Sequence, residues 1–348
     1  MNNGSGALFF APLKKMPAQG VAVTLLLLAA VLALFNGSMS LPFQALLSGS
    51  SDGQSFAIEQ AVLWHIRLPR VVLAILVGGS LAYAGAAIQG LFRNPLAEPG
   101  LIGVASGSAL AVGLYIVFLD GVLSGYWALY GLNLFAFAGG CIASFLVLKV
   151  VRHWAAGSVT VLLLVGLAFN AITMSGNGLL TFISDDQQLR TMTFWTMGSL
   201  GRSEWGSVVA SATLMIPALF WLRRYGVALN LMQLGERETE YSGFDVRRIQ
   251  RNVIVASAVL VGAAVAAAGI IGFVGLIVPH LVRLVWGANH RTLLPLSFLL
   301  GGALLVFADT GARTLISPAE LPVGVVTSLL GGPFFLWLLI SQFRKNRL

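Results

Sequence analysis

Apolar residues in this chain come in long unbroken runs. They show neither the alternation of a half-buried strand nor the single stripe of a surface helix. A helix needs about 17–25 such residues to cross a bilayer core of ~30 Å. Ten runs of this kind can be drawn, at roughly 19–36, 69–91, 100–119, 129–151, 157–182, 205–225, 250–271, 273–287, 292–312 and 324–343, the eighth being short. Barrel strands would alternate polar and apolar residues, so the pattern predicts helices. The expected fold is all-α, a polytopic membrane protein of about ten transmembrane helices. The small-residue run Gly262–Gly269 and the pair Gly103 and Gly107 suit close helix–helix packing.

Composition narrows the class. Of 348 residues 57% are hydrophobic and 10% charged, with mean hydropathy +0.87, against about 25% charged in soluble domains. Polar segments are too short for a separate soluble domain, so residues 1–348 read as one membrane domain. With the N-terminus in the cytoplasm and alternating spans, 16 of the 21 lysines and arginines fall inside. The outer five are Arg67, Arg70, Arg190, Arg202 and Arg313. The positive-inside rule therefore places both termini in the cytoplasm. The net charge of +8 is an orientation signal and does not point to nucleic acid.

Lys14-Lys15 ahead of Val21–Phe35 has the look of a signal peptide, but no small-x-small cleavage site follows. Its removal would invert the charge-supported topology, so it is taken as the first span. Cys141 is the only cysteine, which excludes an intrachain disulfide.

Catalytic signatures are missing: the chain has no GxxxxGK[ST], HExxH, CxxC or EF-hand pattern. Gly49-Ser50-Ser51-Asp52-Gly53 fits GxSxG but sits in a polar loop, not at a strand–helix corner. His65, His153, His280 and His290 are scattered without an i,i+4 pair. No enzyme activity, resident metal or permanently bound cofactor is expected, so energy for any transport must come from elsewhere.

The longest polar inner segment, at about 228–248, contains Leu231-Met-Gln-Leu-Gly-Glu-Arg-Glu-Thr-Glu-Tyr-Ser-Gly-Phe244. It reads as a short helix, broken at Gly243, then a second turn into Asp245–Arg248. Such charged loops are usually just solvated. Here Glu236, Glu238 and Glu240 put acid on the basic side of the membrane, and Tyr241 and Phe244 have no core to enter. An acidic-aromatic knob suits a groove on a partner protein.

Five ordered stretches carry a family resemblance. They are Arg67–Gly107, with its Arg93-Asn94-Pro95 turn and Glu98-Pro99-Gly100 restart; Phe194-Trp-Thr-Met-Gly-Ser-Leu200; Gly269-Ile-Ile-Gly-Phe-Val-Gly-Leu-Ile-Val-Pro-His-Leu-Val-Arg283; Ala308-Asp-Thr-Gly-Ala-Arg313; and Glu320-Leu-Pro-Val-Gly324. Over about residues 60–343 the chain resembles the permease subunits of ATP-driven (ABC) importers for iron chelates, haem and vitamin B12, of the FecCD type. It looks most like the haem permeases. The resemblance implies a homodimer with its path on the two-fold axis in a bacterial inner membrane. Two cytoplasmic ATPase subunits that bind ATP would sit on one side and a periplasmic haem-binding protein on the other. It also implies that Glu236, Arg237, Glu238, Tyr241, Gly243 and Phe244 contact the ATPase, and that Arg67, Arg70 and Arg313 receive acidic residues of the binding protein.

Those arginines admit simpler readings. Each lies at an outer helix end, from which a long cation reaches water, and Asp309 is one turn before Arg313. For haem, a flat apolar ring with two carboxylates, the path needs apolar, polarisable walls and a cation. The fifth span and its sequel offer Asn170, Met174, Asn177, Trp195 and Met197, with Arg190 able to meet a propionate. Met and aromatic stripes of this kind are also ordinary packing. Leu76-Val-Gly-Gly-Ser-Leu81 returns as Leu299-Leu-Gly-Gly-Ala-Leu304, as inverted repeats do. The expected function is haem import by alternating access, with a ferric siderophore or cobalamin as alternative cargo. An ion-coupled secondary transporter would instead need paired ionisable residues at mid-membrane.

Overall fold

The structure, a computed structural model, describes residues 17–37, 58–122, 125–154 and 159–345. Lys14-Lys15 and Gly49–Gly53 lie outside the described residues. Among those residues every regular element is helical. The spans are α1 (Ala18–Phe35), α2 (Leu68–Leu91), α3 (Val104–Phe118), α4 (Tyr126–Trp154) and α5 (Val159–Ile183). A short α6 (Asp186–Thr196) precedes α7 (Trp205–Arg223), then α8 (Gly226–Met232) and α9 (Glu236–Tyr241). The chain closes with α10 (Val246–Ala268), α11 (Val274–Trp286), α12 (His290–Thr314) and α13 (Val323–Lys345).

Among the described residues each of the apolar runs is helical over most of its length. Seven of the described helices have the length and apolarity to cross a membrane, and Val104–Phe118, Val274–Trp286 and Val323–Trp337 are shorter apolar helices. The chain is an all-α, multi-pass membrane protein.

The departures have local causes. The α2 helix reaches back to Ile58, making 34 helical residues, because polar Glu59, His65 and Arg67 interrupt the apolar run without stopping the helix. Pro69 cannot donate a backbone bond, and the turn before it, Val62–Arg67, is π-helical. The α3 helix is shorter than its run because Pro99–Ile102 forms a 3₁₀ turn and Gly103 takes φ 79°. The α6 helix had no apolar run to announce it. It is built on a capping box, in which the Asp185 side chain accepts from the Gln188 amide and the Gln188 side chain accepts from the Asp185 amide.

The α2 and α12 helices make the most extensive helix–helix contact, and α2 also carries α7, α10 and α11. The two LxGGxL segments meet there. A Cβ on Gly78 would strike the carbonyl of Gly301, and one on Gly301 would lie 2.5 Å from both the Gly78 oxygen and Ala82 Cβ. Gly79 likewise receives the Phe298 ring, and Gly302 receives Ile75. The repeat noted in the sequence is therefore the crossing itself, each copy forming the other's groove. Lipid tails are as apolar as leucine, so contact at backbone distance is what drives such helices together.

Gly78→Val is expected to destabilise the bundle by roughly 1–3 kcal/mol or more, as overpacking does. Gly311→Ala on the same α12, where a Cβ would meet nothing within 4 Å, is expected to leave stability intact. Thermal unfolding of the detergent-purified chain checks both.

Candidate functional site

At the first turns of α2, the last turns of α12 and the end of α1, three arginines converge. Arg67, Arg70 and Arg313 are all buried. Arg70 grips two carboxylates: its Nε and Nη2 donate to Asp309 at 2.9–3.1 Å, and its Nη1 and Nη2 donate to Glu320 at 3.0–3.1 Å. Asp309 also pairs with Arg313 Nε at 3.3 Å, one helical turn along α12. Among the described residues Arg70 and Arg313 share Asp309, and Arg70 also holds Glu320. The arginines also reach the last turn of α1, where Arg313 Nη2 donates to the Ala33 carbonyl at 3.2 Å and Arg67 Nη1 to that of Leu34. Carbonyls of a final helical turn lack intrahelical partners and carry the negative end of the helix dipole. The arginines read as able to reach water or a binding protein are buried in this chain, and the i,i+4 pairing of Arg313 with Asp309 is formed. Glu320 went unassigned in the sequence reading; the visible hint was a lone carboxylate between apolar segments.

The opposite end of α2 meets the polar loop. Gln233 Nε2 donates to the Gly90 carbonyl at 2.6 Å, and the His290 backbone amide donates to Asn230 Oδ1 at 2.8 Å. Through these bonds α8 is fastened to the C-terminus of α2 and the N-terminus of α12. Beyond it projects a knob. Gly235 and Gly243, at φ 144° and 85°, bracket α9, and Asp245 caps α10 by accepting from the Arg248 amide. Arg237, Glu238, Gly243 and Phe244 are exposed, Tyr241 is 88% exposed and Leu234 71%. Glu236 is half-buried and accepts from Gln250 Nε2 at 3.1 Å. All six residues read as a partner contact lie on this knob.

The residues read as a path separate into two groups. Asn170 and Asn177 turn towards α3: Ser106 Oγ donates to Asn170 at 2.5 Å, and Asn177 lies against Gly113. Met174, 71% exposed, and Arg190 on α6 face out from the chain. Trp195 packs on the core, and Met197 is exposed. The segment after α6 brings three of the five sequence stretches together. Ser199 N–H donates to the Ala268 carbonyl at 2.8 Å, and a Cβ on Gly198 would come within 2.5 Å of the Ile270 oxygen. A Cβ on Gly324 would also lie 2.5 Å from that oxygen. This crossing of irregular backbone needs glycine on every strand of chain that enters it.

Between α2 and α3, burial pushes the Glu98 carboxyl up, against the pull of the Phe273 backbone amide. His280, in the Pro279-His280 pair of α11, is buried with Nδ1 lacking a hydrogen-bond partner. Among the described residues no group of three His, Cys, Asp or Glu side chains is placed to hold a metal ion.

The described residues thus form a helical membrane bundle with a fastened, exposed knob at one end. The model of the FecCD transport family matches residues 25–341. The hemin transport system permease protein of Yersinia pestis is 47% identical over 93% of this chain and 96% of its own length. The vitamin B12 import system permease protein of Vibrio parahaemolyticus is 39% identical over 92% and 93%. A solved inward-facing structure of a metal-chelate type ABC transporter superposes with TM-score 0.80 at 34% identity, covering 92% of this chain and 97% of that one. The chain belongs to the FecCD transport family, as a permease of the ABC-importer type. That membership displaces the ion-coupled alternative.

Asp309→Asn would take from buried Arg70 and Arg313 the carboxylate that they share, and is expected to cost about 3–5 kcal/mol. Glu320→Gln should cost less, its side chain being 46% exposed. Melting temperatures of the two variants in detergent give the order. Because the Glu98 carboxyl titrates higher folded than unfolded, it favours folding at acid pH and loses that contribution as pH rises from the ordinary carboxylate range through its raised value. Glu98→Gln should therefore flatten the fall in melting temperature between mildly acid and neutral pH.

Proposed function

We propose that this chain is the transmembrane permease subunit of an importer that carries haem into the cytoplasm by alternating access, driven by a separate ATPase. It does so as a single domain of ten crossings, with both termini cytoplasmic, in a bacterial inner membrane. The observation that carries the cargo is the 47% identity to a hemin permease across nearly the whole chain. The assembly is a permease homodimer with two ATPase subunits and one periplasmic haem-binding protein, the arrangement that the family resemblance implies.

In this reading the knob inserts Tyr241, Phe244 and Leu234 into an ATPase groove, with Glu236, Arg237, Glu238 and Gly243 shaping the contact. Nucleotide-driven movement of the partner pulls on α9. Gln233–Gly90 and His290–Asn230 pass the displacement to the ends of α2 and α12, which move as one body because their backbones interlock. The lightly packed α5 and α6 then rearrange around the path. Asn170, Asn177, Met174, Trp195 and Met197 border it, and Arg190 meets a haem propionate. At the other face Arg67, Arg70 and Arg313 serve the binding protein by exchange. An incoming acidic side chain takes the place of half-exposed Glu320 on Arg70.

Proteoliposomes holding the chain with its ATPase and binding protein test this, offered haem, a ferric siderophore and cobalamin with and without ATP. ATP-dependent accumulation of haem alone is expected. Uptake of another ligand would reassign the cargo, and uptake indifferent to ATP would sink the mechanism. Tyr241→Ala with Phe244→Ala should lower ATP-driven uptake by about tenfold or more, as loss of interface anchors does, without lowering the melting temperature.

A further inference from the structure

A cavity of about 310 Å³ opens between the end of α7, the start of α8 and the N-terminus of α12. Arg223, Val227, His290, Arg291, Leu294 and Pro295 line it. Its size falls at the lower end of the range ~300–1,000 Å³ of small-ligand pockets. Arg223 and Arg291 are both exposed, and neither makes an ion pair among the described residues. His290 is wholly buried. Its Nδ1 lies 2.9 Å from Asn230 Oδ1, which already accepts from the His290 backbone amide, so Nδ1 is the donor. Its Nε2 has no partner. The cavity therefore joins two cations without counter-ions among the described residues and an aliphatic wall, while the unpartnered His290 Nε2 turns to Gly90 at the end of α2.

We infer that this cavity is a binding site for the phosphate headgroup of an acidic phospholipid, with Arg223 and Arg291 holding the phosphate. The aliphatic wall of Val227, Leu294 and Pro295 argues for an amphiphile over a free anion, since a soluble phosphate has no use for it. The position argues the same way, because α7 and α12 are long and apolar enough to cross a membrane and the cavity lies at their ends. Basic pockets between helices at a membrane surface hold acidic headgroups in this manner. The site takes no residue from the α9 knob, so it goes beyond the transport reading and does not depend on the cargo. The lipid held there would brace Gly226–Met232 against α12 beside the bonds that fasten the knob. In the proposed orientation it belongs to the cytoplasmic leaflet.

The test is native mass spectrometry of the full chain in detergent, titrated with phosphatidylglycerol or phosphatidylcholine. Tighter retention of phosphatidylglycerol is expected, weakened about 30-fold in R223Q/R291Q and about 5-fold in R291Q alone, from two and one surface cations. R247Q/R248Q, which removes two exposed arginines at the start of α10, should change nothing. Both cavity arginines are exposed, so the melting temperature should hold. Equal retention of the two lipids would overturn the site. So would an equal loss in R247Q/R248Q, which would mean diffuse attraction to a basic surface. Displacement of phosphatidylglycerol by millimolar inorganic phosphate would assign the cavity to a soluble anion and overturn the lipid.

Discussion

Everything in this bundle is arranged around the approach of α2 to α12 at backbone distance. Gly78 and Gly301 face each other's carbonyls, so no side chain of any size separates the helices there. In a membrane, burying one helix against another gains little from the hydrophobic effect, and the gain comes from close packing and polar contacts. This crossing supplies both in sequence along the same pair of helices. Small residues meet at the middle, the arginine–carboxylate cluster closes one end, and the Gly90–Gln233 and His290–Asn230 bonds close the other. The α7, α10 and α11 helices then pack on α2 as on a preformed wall.

The charged end shows how such a wall tolerates ionised groups. Buried guanidiniums are costly in a medium of low dielectric unless they are paired and hydrogen-bonded. Here Arg70 and Arg313 share Asp309, and the carbonyls of Ala33 and Leu34, which the end of α1 leaves without helical partners, accept from Arg313 and Arg67. One arrangement satisfies these cations and ties α1 to the body. Glu320, half-exposed, is the member of the cluster most open to its surroundings.

Packing is uneven across the molecule. The α2, α10 and α12 helices are mostly buried, whereas α5 leaves Ile172, Met174, Leu179 and Phe182 exposed. The contrast is between helices buried inside the chain and one whose apolar side chains face out of it.

The sequence by itself determined the class, the helices and the knob. Run length against bilayer thickness sets the spans, and spacing of Gly, Pro and Asp sets their ends, all through interactions within a few residues. The α6 helix was not read from the apolar runs, since its start rests on the polar capping box of Asp185 and Gln188. The partners of Arg70 were not legible. Asp309 and Glu320 lie far along the chain, and a lone arginine at a helix end reads the same whether it faces water, a binding protein or a buried carboxylate. Nor could the LxGGxL repeat be told from chance in a glycine-rich chain until the two copies were seen to cross. Which apolar faces meet is decided by packing among helices whose surfaces are chemically alike, and only the tertiary structure chooses among them.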